Sequence, residues 1–291
     1  MSGLKIVVLA KQVPDTRNVG KDAMKADGTV NRAALEAIFN PEDLNALEQA
    51  LVLKDKFPGT VITILTMGPG RAADIIREGL YRGADNGFLL TDKAFAGSDT
   101  LATSYALSCA IKKIGKVDLI IAGRQAIDGD TAQVGPQVAE KLGWPQITYA
   151  EEIINIENSK ITVKRRLERG VETVAGKLPL VVTVTGSAPE CRARNAKYTM
   201  KYKHARTPSE LLDAKEDYLQ LCNARPYLRI AELNVSDVNA EVEQLGLSGS
   251  PTKVKNIESV VLQAKDAKII NNNDQEIEEM IIDLIKNHTI G

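Results

Sequence analysis

Four short apolar runs, separated by stretches of helix length, constrain this chain more than any other feature. Leu4-Lys5-Ile6-Val7-Val8-Leu9-Ala10, Thr60-Val61-Ile62-Thr63-Ile64-Leu65-Thr66-Met67, Phe88-Leu89-Leu90 and Asp118-Leu119-Ile120-Ile121-Ala122 each read as a strand. The apolar residues run on without regular alternation, as in strands covered on both faces. Between them, residues 44–56, 72–80 and 98–114 place apolar side chains at helical spacing. Strands that alternate with helices of about ten to fifteen residues specify a parallel sheet with helices on both sides. The expected fold is therefore α/β, an open, mostly parallel, doubly wound sheet.

The connections carry their own signals. Asn40-Pro41-Glu42-Asp43 is a compact helix start. Asn40 suits the cap, Pro41 the first position, and the two acids the positive end of the helix dipole. Pro14 after the first run and Gly68-Pro69-Gly70 after the second break their strands. Asp27-Gly28 can turn a short hairpin. Ser98-Asp99 caps the long third helix. After Gly143-Trp144-Pro145 the pattern changes. Residues 147–156, 161–167 and 180–184 read as further strands with hairpin-length spacers, extending the sheet with antiparallel edge strands. Residues 187–208 are basic and irregular, and 274–288 form an amphipathic helix. Two domains are expected: residues 1–186 as the α/β domain, and 187–291 as a basic loop and carboxyl-terminal arm packing on partner subunits.

Composition narrows the function. A formal charge of −1 and 4% aromatic residues give no footprint for nucleic acid or an acidic membrane. Cys109, Cys191 and Cys222 lie far apart and only His204 and His288 are present, so neither a structural zinc site nor a Cys–His pair is expected. No apolar run approaches 18 residues, and the amino terminus lacks a signal-like pattern. A cytoplasmic protein is expected, with no metal.

The candidate site is the long loop after the fourth run, Gly123-Arg124-Gln125-Ala126-Ile127-Asp128-Gly129-Asp130-Thr131-Ala132-Gln133-Val134-Gly135-Pro136. Ligands of open α/β sheets bind outside the carboxyl ends of the strands, and so long a connection is more often functional than not. A helix beginning at Pro136 offers unpaired N–H groups and a positive dipole end to an anion. Thr131 and Gln133 add neutral donors, and Gly129 and Gly135 allow close approach to the backbone. Asp128 and Asp130 would repel a phosphate at contact. They suit sugar hydroxyls, or the capping of local N–H groups. The loops after Ala10, Thr66, Leu90 and Ala122 should meet at the same edge, which adds Ala10, Met67, Gly68, Asp99 and Thr100 to the candidate residues. Asn40, Pro41, Glu42 and Asp43, a helix cap first and a ligand contact second, face that edge as well. The G-x-G-x-x-G dinucleotide fingerprint and the P-loop lysine motif are both absent.

Val8-Leu9-Ala10-Lys11-Gln12-Val13-Pro14-Asp15-Thr16, Asn40-Pro41-Glu42-Asp43, Met67-Gly68-Pro69 and the 123–136 loop, taken together and in this order, resemble the beta (small) subunit of electron-transferring flavoproteins. The resemblance covers about the first 185 residues, and Leu247-Ser248-Gly249-Ser250-Pro251 shares it. It implies a nucleotide-binding fold of the adenine nucleotide hydrolase-like kind and a heterodimer with a larger alpha subunit that carries FAD. In the housekeeping branch AMP sits at Asn40 and at the positions 128–133. In the bifurcating branch a second FAD takes that place and accepts hydride from NADH. One electron then goes to ferredoxin or flavodoxin, and the other passes through the alpha-subunit FAD to a partner dehydrogenase. Gly129 between the two aspartates, with the segments 131–136 and Ser98-Asp99-Thr100, resembles the bifurcating branch. The implied cofactor is FAD, with AMP as the alternative, and no residue need act as acid, base or nucleophile. Residues 185–206 keep only Met200, Lys201 and Lys203 of the family's acyl-CoA dehydrogenase recognition segment. That departure favours a lactate-type (2-hydroxyacid) dehydrogenase as partner over an acyl-CoA type. A nucleotide-sensing stress-type module is the reading from another class, and the glycine spacing of that family is missing.

Overall fold

The computed structural model describes residues 3–15, 36–212, 216–252, 269–287 and 289–290. The Asp27-Gly28 turn lies outside them. The four apolar runs form β1 (Lys5–Leu9), β4 (Val61–Met67), β5 (Asn86–Leu90) and β6 (Leu119–Gly123). Between them stand α1 (Pro41–Lys56), α2 (Ala73–Arg82) and α3 (Thr100–Ile114). A two-stranded antiparallel ribbon, β2 (Gln12–Pro14) with β3 (Ala37–Phe39), precedes α1. After β6 come α4 (Val134–Leu142), β7 (Gln146–Glu157), β8 (Lys160–Leu167), β9 (Gly170–Lys177) and β10 (Leu180–Val184). The remaining elements are α5 (Ala196–Tyr202), α6 (Pro208–Leu212), α7 (Glu216–Ala224), β11 (Ala231–Leu233) and α8 (Asp274–Lys286).

The main sheet has nine strands in the order β11-β5-β4-β1-β6-β10-β7-β8-β9. All neighbours are parallel except β7–β8 and β8–β9. The antiparallel extension is thus confined to β8 and β9, because β10 inserts between β6 and β7 and pairs with both in parallel. Strand parity explains the unbroken apolar runs. Ile6 and Val8 pack with Leu47, Leu51, Ile75 and Ile76 of α1 and α2. Val7 and Leu9 pack with Ala106, Ile111 and Val138 of α3 and α4. Each strand therefore serves two cores, which removes the polar alternation of a one-sided sheet.

By packing, residues 1–255 form one compact unit and 256–291 another. Residues 187–233 belong to the first unit. Two of the basic side chains there pair with acids of α1 and α2: the Arg192 guanidinium bridges Glu48 (2.8 Å) and Asp55 (2.9 Å), and Arg194 Nε donates to Glu78 (3.0 Å). Arg77 on α2 reaches Glu210 at 2.8 Å, and β11 then adds to the sheet beside β5. In the second unit, Asn273 caps α8 through its side chain, which accepts from Glu276 N.

Candidate functional site

The chain reverses direction across the sheet between β1 and β6. From β1 it builds outward through β4 and β5 on one side, then returns to lay β6 on the other. Such a switch point opens a crevice at the carboxyl edge, because the loops after the two central strands leave in opposite directions. A cavity of about 350 Å³ lies there. Ala10 and Lys11 after β1, Met67 at the end of β4, and Gly123 at the end of β6 form its floor.

The helix-start motif builds this floor in an unexpected way. Asn40 precedes α1 with no side-chain cap bond. Its fully buried amide reaches across instead, donating from Nδ2 to the Gln125 carbonyl (2.9 Å) and accepting at Oδ1 from Ile127 N (3.1 Å). Glu42 accepts from Gln125 N (2.9 Å) and from Gly186 N (3.2 Å), and its Oε1 lies 3.2 Å from the Arg124 guanidinium. Asp43 accepts from Lys11 N (2.8 Å) and Gly123 N (3.0 Å), joining the ends of β1 and β6. Burial pushes the Asp43 carboxyl up to about 7, against the lowering pull of those amides. The motif therefore acts as a clamp on the loop, and only Asp43 among its residues borders the cavity. A Cβ at Gly123 would stand 2.3 Å from Asp43 Oδ1 and 2.8 Å from its backbone N, so glycine is required there.

The loop itself curls over the cavity. Asp130 (φ 48°) and Ala132 (φ 52°) are left-handed, a conformation that aspartate tolerates and alanine adopts only at a cost. Gln125 Nε2 donates to Asp130 (2.8 Å). Asp128 stands outside the cavity lining, where both its oxygens accept from Lys11 Nζ, at 2.7 and 2.9 Å. Its structural role is to latch the loop tip to the end of β1. Arg124 lies 5.7 Å over the Tyr149 ring.

Helix α4 begins at Val134, two residues before the expected start at Pro136. Proline is tolerated there because the first N–H groups of a helix have no intrahelical partner. Gly143 ends the helix in the left-handed conformation (φ 66°). Across the cavity, α3 begins at Thr100, with Asp99 as its cap accepting from Leu101 N and Ala102 N. Thr100 Oγ1 donates to Gln133 Oε1 (2.8 Å), tying the two helix starts together.

Of the residues expected at the site, the cavity brings together Ala10, Asp43, Met67, Asp99, Thr100, Gly123, Arg124, Gln125 and the loop backbone from Gly129 to Gly135. Asn40, Pro41, Glu42, Gly68, Asp128 and Pro136 stand behind it. Sequence reasoning missed Leu9, Leu65, Thr103 and Leu107 as lining residues. Thr103 and Leu107 follow Thr100 at helical spacing on one face, a signal that could have found them.

The donor set suits a nucleotide. The uncapped amino terminus of α4 and the Thr103 and Thr131 hydroxyls provide uncharged donors for an anionic group. Leu9, Leu65, Met67 and Leu107 offer apolar wall for a ring system. A Cβ at Gly129 would meet no protein atom within 4 Å, so the chain itself makes no use of the missing side chain. At Gly135, by contrast, a Cβ would stand 2.5 Å from Thr183 Cγ2, so that glycine also serves helix–strand packing. Among the described residues no helix is long and apolar enough to cross a membrane.

Comparison with known proteins decides the family. The electron transfer flavoprotein domain matches residues 27–207. The chain belongs to the electron transfer flavoprotein family. It is 42% identical over 288 residues to the electron transfer flavoprotein subunit beta of Megasphaera elsdenii, covering 96% of this chain and 97% of that one. It is 42% identical over 251 residues to the caffeyl-CoA reductase-Etf complex subunit CarD of Acetobacterium woodii, covering 86% of each. It is 38% identical over 290 residues to the acryloyl-CoA reductase electron transfer subunit gamma of Anaerotignum propionicum, covering 99% of this chain and all of that one (100%). The first and third of these electron transfer flavoprotein relatives align over both compact units of the chain, arm included.

Proposed function

We propose that this chain is the beta subunit of a bifurcating electron transfer flavoprotein and holds FAD in the cavity between β1 and β6. The observation that carries the reading is that cavity: a switch-point crevice with the uncapped α4 amino terminus and hydroxyls at one wall and apolar side chains at another. The open space at Gly129 supports a ligand that approaches the loop closely. A bound flavin would supply the exchange between two-electron chemistry with NADH and one-electron transfer to ferredoxin or flavodoxin. The chain's own part is to bind and orient. The backbone N–H groups at the start of α4, with the Thr103 hydroxyl, would hold the anionic part. Leu9, Leu65 and Leu107 would exclude water from the ring. The clamp of Asn40, Glu42 and Asp43 would keep the loop closed over both.

The second product route runs through an alpha subunit with its own FAD to a partner dehydrogenase. Two relatives named for CoA-thioester reductases support a partner of the acyl-CoA type. The altered 185–206 segment favours the lactate-type partner as the second reading. Arg194 pairs with Glu78 while its side chain stays largely exposed, as does that of Met200, so both are available to a docking partner.

The test is the cofactor content of the native complex. Two FAD per alpha–beta pair is the expected result. One FAD with one AMP would refute the bifurcating reading in favour of the housekeeping one.

A further inference from the structure

The segment 244–252 interlocks with the loop before α3. Ser98 Oγ accepts from Gly246 N (3.1 Å), and Asp99 N donates to Ser250 Oγ (2.8 Å). Ser250 is buried, and its hydroxyl donates onward to the Gly246 carbonyl (2.6 Å). Thr252 closes the strap: its N (3.1 Å) and its Oγ1 (2.6 Å) both donate to Asp99 Oδ2. The two segments leave no slack. A Cβ at Gly97 would meet Leu247 at 2.7 Å, and one at Gly246 (φ 56°) would meet the Ala94 carbonyl at 2.5 Å.

Asp99 is thus shared between two tasks. Its Oδ1 caps α3 through Leu101 N and Ala102 N, both at 3.0 Å, while its Oδ2 is held by Thr252. A carboxylate with both oxygens committed within the chain is not free to contact a ligand, although it borders the cavity. What it fixes is the next residue. Thr100 lines the cavity and donates to Gln133 at the start of α4. The line from Thr252 through Asp99 and Thr100 to Gln133 sets the spacing of the two helix starts that face each other across the cavity.

We infer that Ser250 and Thr252 are positioning residues for the nucleotide cavity, holding the start of α3, and through Thr100 the start of α4, in the geometry that binds the ligand. This rests on the nucleotide reading of the cavity given above. Neither residue borders that cavity. Both act only through Asp99.

The experiment uses the full chain in its native complex, stripped of nucleotide, as wild type, Thr252→Val and Thr252→Ser. Each is titrated separately with FAD and with AMP. In parallel, amide hydrogen exchange is followed without ligand. Valine keeps the branched shape and loses the hydroxyl donor. Thr252→Val is expected to bind about fivefold more weakly, the equivalent of about one net hydrogen bond. Thr252→Ser is expected to bind as wild type does. The Leu101 and Ala102 amides should exchange faster in Thr252→Val, while those of Ile120 and Ile121 in β6 stay unchanged. Unaltered affinity and exchange in Thr252→Val, or failure of serine to rescue, would overturn the inference. Wild type that binds neither nucleotide would overturn the cavity reading itself, and the exchange rates would still test the strap. Should Thr252→Val not accumulate, Ser250→Ala takes its place with the same two measurements. Weaker binding and faster exchange in that variant would support the strap, and wild-type values of both would overturn it.

Discussion

Asn40 separates two accounts of the helix-start motif. If it were a helix cap, Asn40→Asp would be neutral or slightly stabilising, since aspartate caps as well as asparagine and suits the dipole. The structure gives the opposite expectation. In Asn40→Asp, Oδ1 can still accept from Ile127 N, but a carboxylate oxygen replaces the donor 2.9 Å from the Gln125 carbonyl. In Asn40→Ala both bonds are lost and two loop groups are left unpaired. At about 1 kcal/mol per net hydrogen bond, with a further penalty for the unpaired groups, the closed loop loses about 2–3 kcal/mol. Exchange through loop opening should then accelerate by about 30- to 140-fold. The amides to follow are Gly129 and Asp130, which donate to the Ala126 carbonyl inside the loop. Hydrogen exchange measured by mass spectrometry or NMR on the unliganded complex reads them directly. If Asn40→Asp kept the loop amides within about twofold of wild-type exchange, the clamp account would be wrong and capping would stand.

Two further outcomes follow from the same corner of the molecule. Gly123→Ala drives a methyl group against Asp43 and should lower unfolding stability by about 1–3 kcal/mol, seen as a lower urea midpoint with an unchanged slope. Asp43 titrates from an ordinary 3.8 when unfolded to about 7 when folded, because burial disfavours its charged form. The folded state therefore binds its proton more tightly than the unfolded state does. Its contribution to stability is full below about pH 4 and is lost as pH rises through about 7. Urea midpoints measured across that window should fall relative to those of Asp43→Asn as pH rises. An equal slope in both would assign the effect elsewhere.

Much of the architecture was legible because sheet burial writes itself into composition. Ile6, Val7, Val8 and Leu9 are apolar in succession, which only a strand covered on both faces requires, and the helices fell between such runs. The placement of the ligand loop followed from the same logic of strand ends. Side-chain destinations were less legible. Asn40 carries the signature of a cap, yet its partners are 85 and 87 residues away, and no local pattern encodes so distant a pairing. Asp128 read as a partner for sugar hydroxyls or for local N–H groups; its side-chain partner in the fold, Lys11, lies 117 residues back. In the basic 187–208 stretch the acids that pair with Arg192 and Arg194 are remote in the chain, Glu48 and Asp55 on α1 and Glu78 on α2, so the sequence shows the charge without its partners. Family resemblance located the cavity but could not say which of its residues face inward and which stand behind.

The placement of β11 bears on how such a chain is made. The sheet is laid down from β1 outward, but the strand flanking β5 is contributed by residues 231–233, after the chain has completed β7 to β10 at the far side. During synthesis from the amino terminus, β5 is therefore the rim of a growing sheet, with its backbone N–H and carbonyl groups unsealed for the time needed to add some 140 residues. An unsealed rim invites pairing with other chains. A nascent polypeptide released anywhere before residue 231 would leave Phe88, Leu89 and Leu90 unpaired on that side, and β11 replaces that rim with an edge strand of only three residues.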